Sequence, residues 1–406
     1  MTIAIVGGGI AGLCLALNLH RRGIECRVFE RVALVKELGV GITLLPHAMR
    51  EFKALGIDAE LEAQGIENLE SCFYNRFGQL IYKEPRGRYA GYELPEVGIH
   101  RGRLHLTLYN AAVARLGADR IILDHRCTGV TQDADGVDVH FETANGARTV
   151  RADAVIACDG VNSAIRKQLY PQDEVAFAGI NTWRGVTRHK PILTGRSYIR
   201  VGSIHTGKMV IYPIVHDVDG QGNQLINWMA EIQGDNLIKN DWNEAGKIED
   251  FYHIYKDWTF DWLDVAAMIR NSEMVLEYPM VDKDPLDRWT FGRITLAGDA
   301  AHPMYPRGSN GSAQGAIDAR TLADCLAKES SVPEALKSYE AARLGPTSKV
   351  VLTNRSNPPD FINIKVEELV GDKPFDDLDR YITQAELQKM SDDYKKIAGF
   401  ALPTPG

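Results

Sequence analysis

"IAIVGGGIAGLCLALNLHRRGIECRVFE", residues 3–30, decides the fold. Its first 17 residues, Ile3 to Leu19, carry no charge, and only Met1 and Thr2 precede them. A membrane span needs about 20 apolar residues. Four glycines interrupt this run, and Asn18, His20, Arg21 and Arg22 close it where a leader would carry small residues. Neither a secretory leader nor a membrane span is expected. A strand, turn and helix that grip a nucleotide fit piece by piece. Ile3–Val6 is a short β-branched run suited to a strand buried on both faces. Gly7, Gly9 and Gly12 then form G-x-G-x-x-G: a sharp turn, a close backbone approach to a pyrophosphate, and tight helix–strand packing. A helix from about Ala11 to Arg22 would aim its free N–H groups at that phosphate. "ECRVFE" reads as a second strand ending at Glu30, 18 residues after Gly12, where an acid accepts hydrogen bonds from ribose hydroxyls.

Composition sets the frame around this unit. The chain has 406 residues, 45% hydrophobic and 25% charged, as expected of a soluble protein with two or more domains. A net charge of −8 argues against nucleic acid or an anionic membrane as partner. The six cysteines, Cys14, Cys26, Cys72, Cys127, Cys158 and Cys325, are scattered without C-x-x-C spacing. They read as reduced thiols of a cytoplasmic protein, with no metal site.

Further along, residues 37–57 read as a glycine-bearing loop and a helix, and residues 98–117 as another helix. "GVDVHFET" alternates like a half-exposed strand and "NG" at 145–146 marks a hairpin turn. "DAVIACDG" (153–160) is a buried strand ending in an Asp-Gly turn. From 175 to 282 strand-like runs predominate, with one helical stretch at roughly 244–270. The strand, glycine loop and helix pattern resumes at 292–327. The final 60 residues read as helices with a break at "NRSNPPDFI", and "ALPTPG" as a frayed tail. The expected fold is α/β: a discontinuous Rossmann-like domain (1–72, 100–174, 283–345), an inserted, mainly antiparallel substrate domain (73–99, 175–282), and a C-terminal helical segment (346–406).

Three motifs, "GGGIAG…E", "CDGVNSAIRKQL" and "LAGDAAHPMYPRGSNGSAQGAIDA", share an order and spacing. In these the chain resembles the class A FAD-dependent aromatic hydroxylases along essentially its whole length. Within them it is similar to the salicylate-hydroxylase branch; "PRGSNGSAQ" and "NRSNPPD" resemble the 5-methylphenazine-1-carboxylate 1-monooxygenase type. The absence of a second GxGxxG agrees with that class, where NAD(P)H binds transiently. The missing W-x-W-x-I-P disfavours a halogenase.

The resemblance implies FAD as cofactor and NADH or NADPH as co-substrate. Glu30 and Arg31 match the adenosine-ribose pair, and Arg101 the arginine that reaches the FAD phosphate or ribityl chain. Asp159 and Gly160 would meet the pyrophosphate side and the passing NAD(P)H, assisted by Arg166; Asp299 would bind ribityl hydroxyls. Gly41 would pass the isoalloxazine edge, while Gly308, Asn310 and Gly311 let backbone approach the ring ahead of a helix from about Ser312. The family more often has G-Q-G there; this chain has Gly308-Ser309-Asn310-Gly311, one residue longer. It also has Pro46-His47-Ala48 where Pro-Asn-Ala is common, so His47 receives no role.

The implied reaction is hydroxylation of a small aromatic or N-heteroaromatic ring, such as a carboxylate or phenol, by O2 through a flavin C4a-hydroperoxide. No substrate-deprotonating base can be picked out. Wall candidates are Trp183, Arg184, Tyr212, Trp228, Met229, Met304 and Tyr305. In "LINWMAEI", Asn227 and Met229 share one strand face and Ile226 and Trp228 the other; either face could meet a ligand. Arg184 or Arg307 could hold a carboxylate, form a structural ion pair, or touch NAD(P)H. His302 is expected to pack near the flavin. A monomer or homodimer is expected. Two other readings stay open: an FAD oxidoreductase or epoxidase of an isoprenoid-like substrate, and a non-redox dinucleotide-binding module.

Overall fold

Strand Thr2–Val6 is buried from Ile3 onward and pairs in parallel on both sides, with Glu25–Phe29 and with Ala154–Ala157. That two-sided burial is what its unbroken apolar run serves. The computed structural model describes residues 1–37, 39–234, 245–277, 280–356, 360–399 and 401–402. Six strands form this sheet, in the order Thr290–Phe291, Ile294–Leu296, Ala154–Ala157, Thr2–Val6, Glu25–Phe29, Ile121–Ile122. All its neighbours are parallel except the outer hairpin 290–296. Helix Ile10–Arg21 connects the first two strands in sequence and packs against Arg101–Leu116 and Gly311–Lys328.

A second sheet has seven strands, in the order Met274–Glu277, Ile180–His189, Gln224–Gln233, Gly207–Val215, Ser197–Ser203, Glu70–Tyr74, Leu80–Pro85. It is antiparallel except where Ser197–Ser203 runs parallel to Glu70–Tyr74. A small sheet of Gly41–Leu44, Val97–His100 and Ile66–Glu67 joins the two. C-terminal helices Phe361–Val370 and Gln384–Ala398 cover the Glu70–Pro85 edge through Phe73, Ile81, Tyr82, Ile362, Val366 and Leu387. The architecture is α/β with mainly antiparallel additions and C-terminal helices.

Several elements differ from expectation. The boundary expected between residues 72 and 73 falls inside Glu70–Tyr74, whose register with Ser197–Ser203 places it wholly in the seven-stranded sheet. Gly41–Leu44 and Val97–His100 are paired strands at the starts of segments read as loop and helix. The helical stretch near 244–270 is broken up: a turn at Ile248–Asp250, one helical turn at Tyr252–Tyr255, a hairpin from Thr259 to Asp264, and helix Val265–Arg270. Its aromatic, Asp and Thr content is poor helix material, and Phe251, Tyr255 and Trp258 pack onto the sheet instead. Residue 244, the prolines at 358–359 and most of "ALPTPG" lie outside the described residues.

Candidate active site

The ends of the central parallel strands open into a cleft, as at the ligand crevice of open α/β sheets. Its empty space, open solvent at the mouth included, is about 1450 Å³. One side is backbone: Gly9, Ile10, Ala11, Gly160, Gly298, Gly311, Ser312 and Gly315. Two helices, Ile10–Arg21 and Gly311–Lys328, begin there, so unpaired N–H groups and two positive dipole ends meet in one space. Such a cradle suits an anion and an electron-rich ring edge.

The glycines of the first turn act differently. At Gly7, φ is +105° and a Cβ would lie 2.3 Å from the Cys158 carbonyl oxygen; a Cβ on Gly12 would lie 2.0 Å from that of Gly7. These two serve the fold. At Gly9 an added Cβ would meet no protein atom, so that space is open to a ligand. Glu30 Oε2 accepts from Gly8 N at 2.7 Å, which stiffens the turn, and Arg31 is exposed beside it.

The opposite wall comes from the seven-stranded sheet. Arg184 pairs across strands with Met229, and Tyr212 with Asn227, and all four line the cleft. The face left open by the alternation is therefore that of Asn227 and Met229. Trp183 and Trp228 are off the site: they lie on the far face, packed with Phe251 at 5.0 and 5.8 Å between ring centres. Tyr198, which sequence reasoning passed over, stacks on Tyr212 at 4.9 Å with an 11° interplanar angle. The alternation of "SYIRVGS" places Tyr198 opposite Ile199 and could have found it. Asn227 Oδ1 accepts from Gly41 N at 2.7 Å, and a Cβ on Gly41 would lie 2.7 Å from the Asn227 side chain. Gly41 is thus the contact that seats one wall against the other.

Of the remaining candidates, Arg101, Asp299, Met304, Asn310 and Gly311 line the cleft. Asp299 is exposed to the open cleft, yet the protein packed around it raises its carboxyl above the ordinary range, against the pull of His302 and Arg101. Asp159 sits just behind Gly160; its Oδ2 accepts from Ala164 N at 2.9 Å while its buried Oδ1 has no partner. Burial pushes this carboxyl up to about 6, opposed by the Ser163 hydrogen bond. Arg166 does not assist at the cleft. Fully buried, it makes two 2.8 Å bonds to Asp173 and donates to the Ala300 and Ala301 carbonyls, so it shapes the turn that carries Asp299.

Tyr305 is also off the site, its hydroxyl donating to Ala176 O at 3.3 Å. Arg307 is an ion-pair residue: it meets Asp360 at 2.8 Å, and Asp360 also holds Lys208 at 2.9 Å. Burial opposes ionisation of Asp360, but Lys208 and Arg307 outweigh it and hold the carboxyl far below its usual range. His302 is buried beneath the cleft against Asp318. Gly308, with φ of +87°, faces away from the cleft onto Tyr394. Among the described residues no three His, Cys, Asp or Glu side chains cluster as metal ligands, and no helix is long and apolar enough to cross a membrane.

The family model described as "FAD binding domain" matches residues 1–353. The chain is 40% identical over 361 residues to phenazine 1,6-dicarboxylic acid hydroxylase PhzS of Lysobacter antibioticus, covering 87% of this chain and 89% of that one. It is 32% identical over 355 residues to 3-amino-4-hydroxybenzoate 2-monooxygenase of Streptomyces cremeus, covering 86% and 84%. The fold matches Klebsiella pneumoniae HpxO, solved with FAD and uric acid, with a TM-score of 0.76 over 98% of this chain and 95% of that one at 21% identity. The open glycine cradle at Gly9, the two helix N-termini and the unpartnered Asp159 oxygen fit FAD. The chain belongs to the FAD-binding-domain family, as one of its class A flavin monooxygenases: FAD-dependent enzymes that consume NAD(P)H and O2 to hydroxylate aromatic rings.

Proposed function

We propose that this monooxygenase hydroxylates a planar N-heteroaromatic carboxylate of phenazine-like size. The observation that carries this reading is the cross-strand pair Arg184 and Met229, which faces the backbone cradle across one cleft. Arg184 supplies a fork for a carboxylate. Met229 and the Tyr198–Tyr212 stack supply an adaptable apolar floor for a flat ring. The relative at 40% identity is named for a phenazine dicarboxylic acid.

Bound FAD would supply the redox chemistry, taking the reducing equivalents of NAD(P)H and using O2 so that one oxygen atom goes to the ring and the other leaves as water. The chain's own residues position and enclose. Gly9 and the N–H groups of Ile10 and Ala11 would take the pyrophosphate, and Arg101 and Asp299 the phosphate and ribityl groups. Gly311, Ser312 and their helix dipole would face the pyrimidine edge of the ring system, where negative charge is favoured. Glu30 and Arg31 would flank the adenosine ribose. Pro303, Met304, Pro306 and Met229 keep water from the reacting face. In this scheme residues 1–69, 100–174 and 283–345 hold FAD, the seven-stranded sheet that starts in sequence with Glu70–Tyr74 presents the substrate, and the C-terminal helices pack against both. The setting we infer is cytoplasmic, as a monomer or homodimer; four of the six cysteines are buried and none is bridged.

The test is NADH and NADPH consumption by FAD-loaded protein against paired substrates, phenazine-1-carboxylate with phenazine and hydroxynicotinate with hydroxypyridine, with hydrogen peroxide assayed alongside. Carboxylated heteroaromatics should stimulate oxidation, and product should match coenzyme used. Equal stimulation by the uncarboxylated partners would overturn the substrate assignment.

A further inference from the structure

The C-terminal segment does more than pack: one of its side chains, Tyr394, reaches the loop ahead of helix Gly311–Lys328. Residues 303–310 carry no helix or strand and run along the cleft into helix Gly311–Lys328. Three features mark this loop as held from outside. Gly308 has φ of +87°, and a Cβ there would lie 1.8 Å from the Tyr394 hydroxyl oxygen. Ser309 keeps a left-handed φ of +56° without being glycine, a conformation that persists only where surroundings enforce it. Asn310, 1% exposed, donates through Nδ2 to Tyr394 Oη at 2.8 Å and to Gly308 O at 3.2 Å.

Tyr394 continues the chain of bonds. Its hydroxyl donates to Asn354 Oδ1 at 3.1 Å, and Asn354 Nδ2 donates to Tyr305 O at 3.3 Å. One phenol therefore fixes both ends of the loop, at Tyr305 and at Asn310. Its ring packs on Leu45, directly after cleft strand Gly41–Leu44 and beside His47, whose side chain meets Asn310. Tyr394 and Asn354 both lie beyond residue 353, where the family match ends.

We propose that Tyr394 is a positioning residue for the flavin: it holds loop 303–310, and with it the N-terminus of helix Gly311–Lys328, in the shape that meets the ring system. This rests on the FAD placement proposed above. The extra residue in Gly308-Ser309-Asn310-Gly311 fits the same account, because a longer loop needs an outside support.

The test is Tyr394→Phe, which keeps the ring and deletes the hydroxyl. FAD Kd should rise by about three- to tenfold, the range expected for one lost hydrogen bond. The visible flavin band should shift, and the share of NAD(P)H released as hydrogen peroxide should rise. Tyr82→Phe is the control, since Tyr82 anchors the same helix at Gln388, away from the loop. It should lower the melting temperature and leave the flavin band and peroxide share unchanged. In the wild-type chain, FAD should slow amide exchange in Gln384–Ala398 more than in the distant helix Val265–Arg270, because coupling is reciprocal. If wild type binds FAD and couples normally while Tyr394→Phe matches it in Kd, band and peroxide share, the proposal fails and the functional reading stands. Equal flavin changes in Tyr82→Phe, or no preferential protection of the helix, also overturn it. A wild-type chain that binds no FAD overturns the functional reading itself.

Discussion

Asp318 holds His302 with one carboxylate oxygen and Arg343 with the other, at 2.5 and 2.7 Å. The oxygen facing His302 also accepts from Gly298 N at 3.0 Å, so helix Gly311–Lys328 is tied to the turn that carries Asp299. Burial works against ionisation of Asp318, but His302 and Arg343 outweigh it and hold the carboxyl at about 2.

Asp318→Asn leaves Arg343 buried without its charge partner and should cost about 3–5 kcal/mol, read from the urea midpoint. Because the folded carboxyl titrates below the ordinary value of about 3.9, its stabilisation is complete above that pH and fades as pH falls toward 2. A midpoint equal to wild type would show that the carboxylate carries no such weight.

His47 gives a pH dependence of the same sign in a higher window. Burial, helped by Arg50 and Arg343, lowers its imidazole to about 4, against the hydrogen bond with Asn310. Between pH 6.5 and 4 the unfolded chain then binds a proton that the folded chain refuses, so stability is lost as the pH is lowered through that window. The wild type should lose about 2 kcal/mol more than His47→Asn between pH 7.5 and 5. Equal losses would mean that His47 titrates normally.

Gly9 and Gly12 belong to one motif, yet their substitutions should separate. Gly12→Ala drives a Cβ to 2.0 Å from the Gly7 carbonyl oxygen, so the variant should accumulate as insoluble protein. Gly9 has an ordinary φ of −77° and open space around its Cβ position. Gly9→Ala should keep its stability within about 0.5 kcal/mol and lose FAD affinity roughly tenfold or more. Tight FAD binding by Gly9→Ala would move the pyrophosphate elsewhere.

Arg184→Met removes the guanidinium while keeping a long side chain. For a carboxylated substrate, KM should rise by roughly 10- to 100-fold, the worth of a charge-assisted pair. For an uncarboxylated analogue it should change little. The same rise for both would point to general damage to the wall.

The legible parts were those written locally. Gly7, Gly9, Gly12 and Glu30 lie within one strand–helix–strand unit, where spacing dictates geometry. The period of two sorted Asn227 and Met229 from Trp228, but which face met the cleft depended on what covered the other. Phe251 and Tyr255, from a segment misread as one long helix, cover it. Arg307 and Tyr394 were illegible for a related reason. Their partners, Asp360 and Asn310, stand 53 and 84 residues away, and no local pattern encodes such a meeting.

The interleaving of the two sheets also sets when the protein can acquire its cofactor. Thr2–Val6 finds its inner neighbour only at Ala154, and the cradle of Gly9 closes only when Gly311 is present. At about 5–20 residues per second, a ribosome needs roughly 15–60 s to reach that point. Until Ala154–Ala157 is made, the apolar run IAIV has a pairing partner on one side only. FAD loading thus becomes one of the last events in the birth of the enzyme rather than its nucleus.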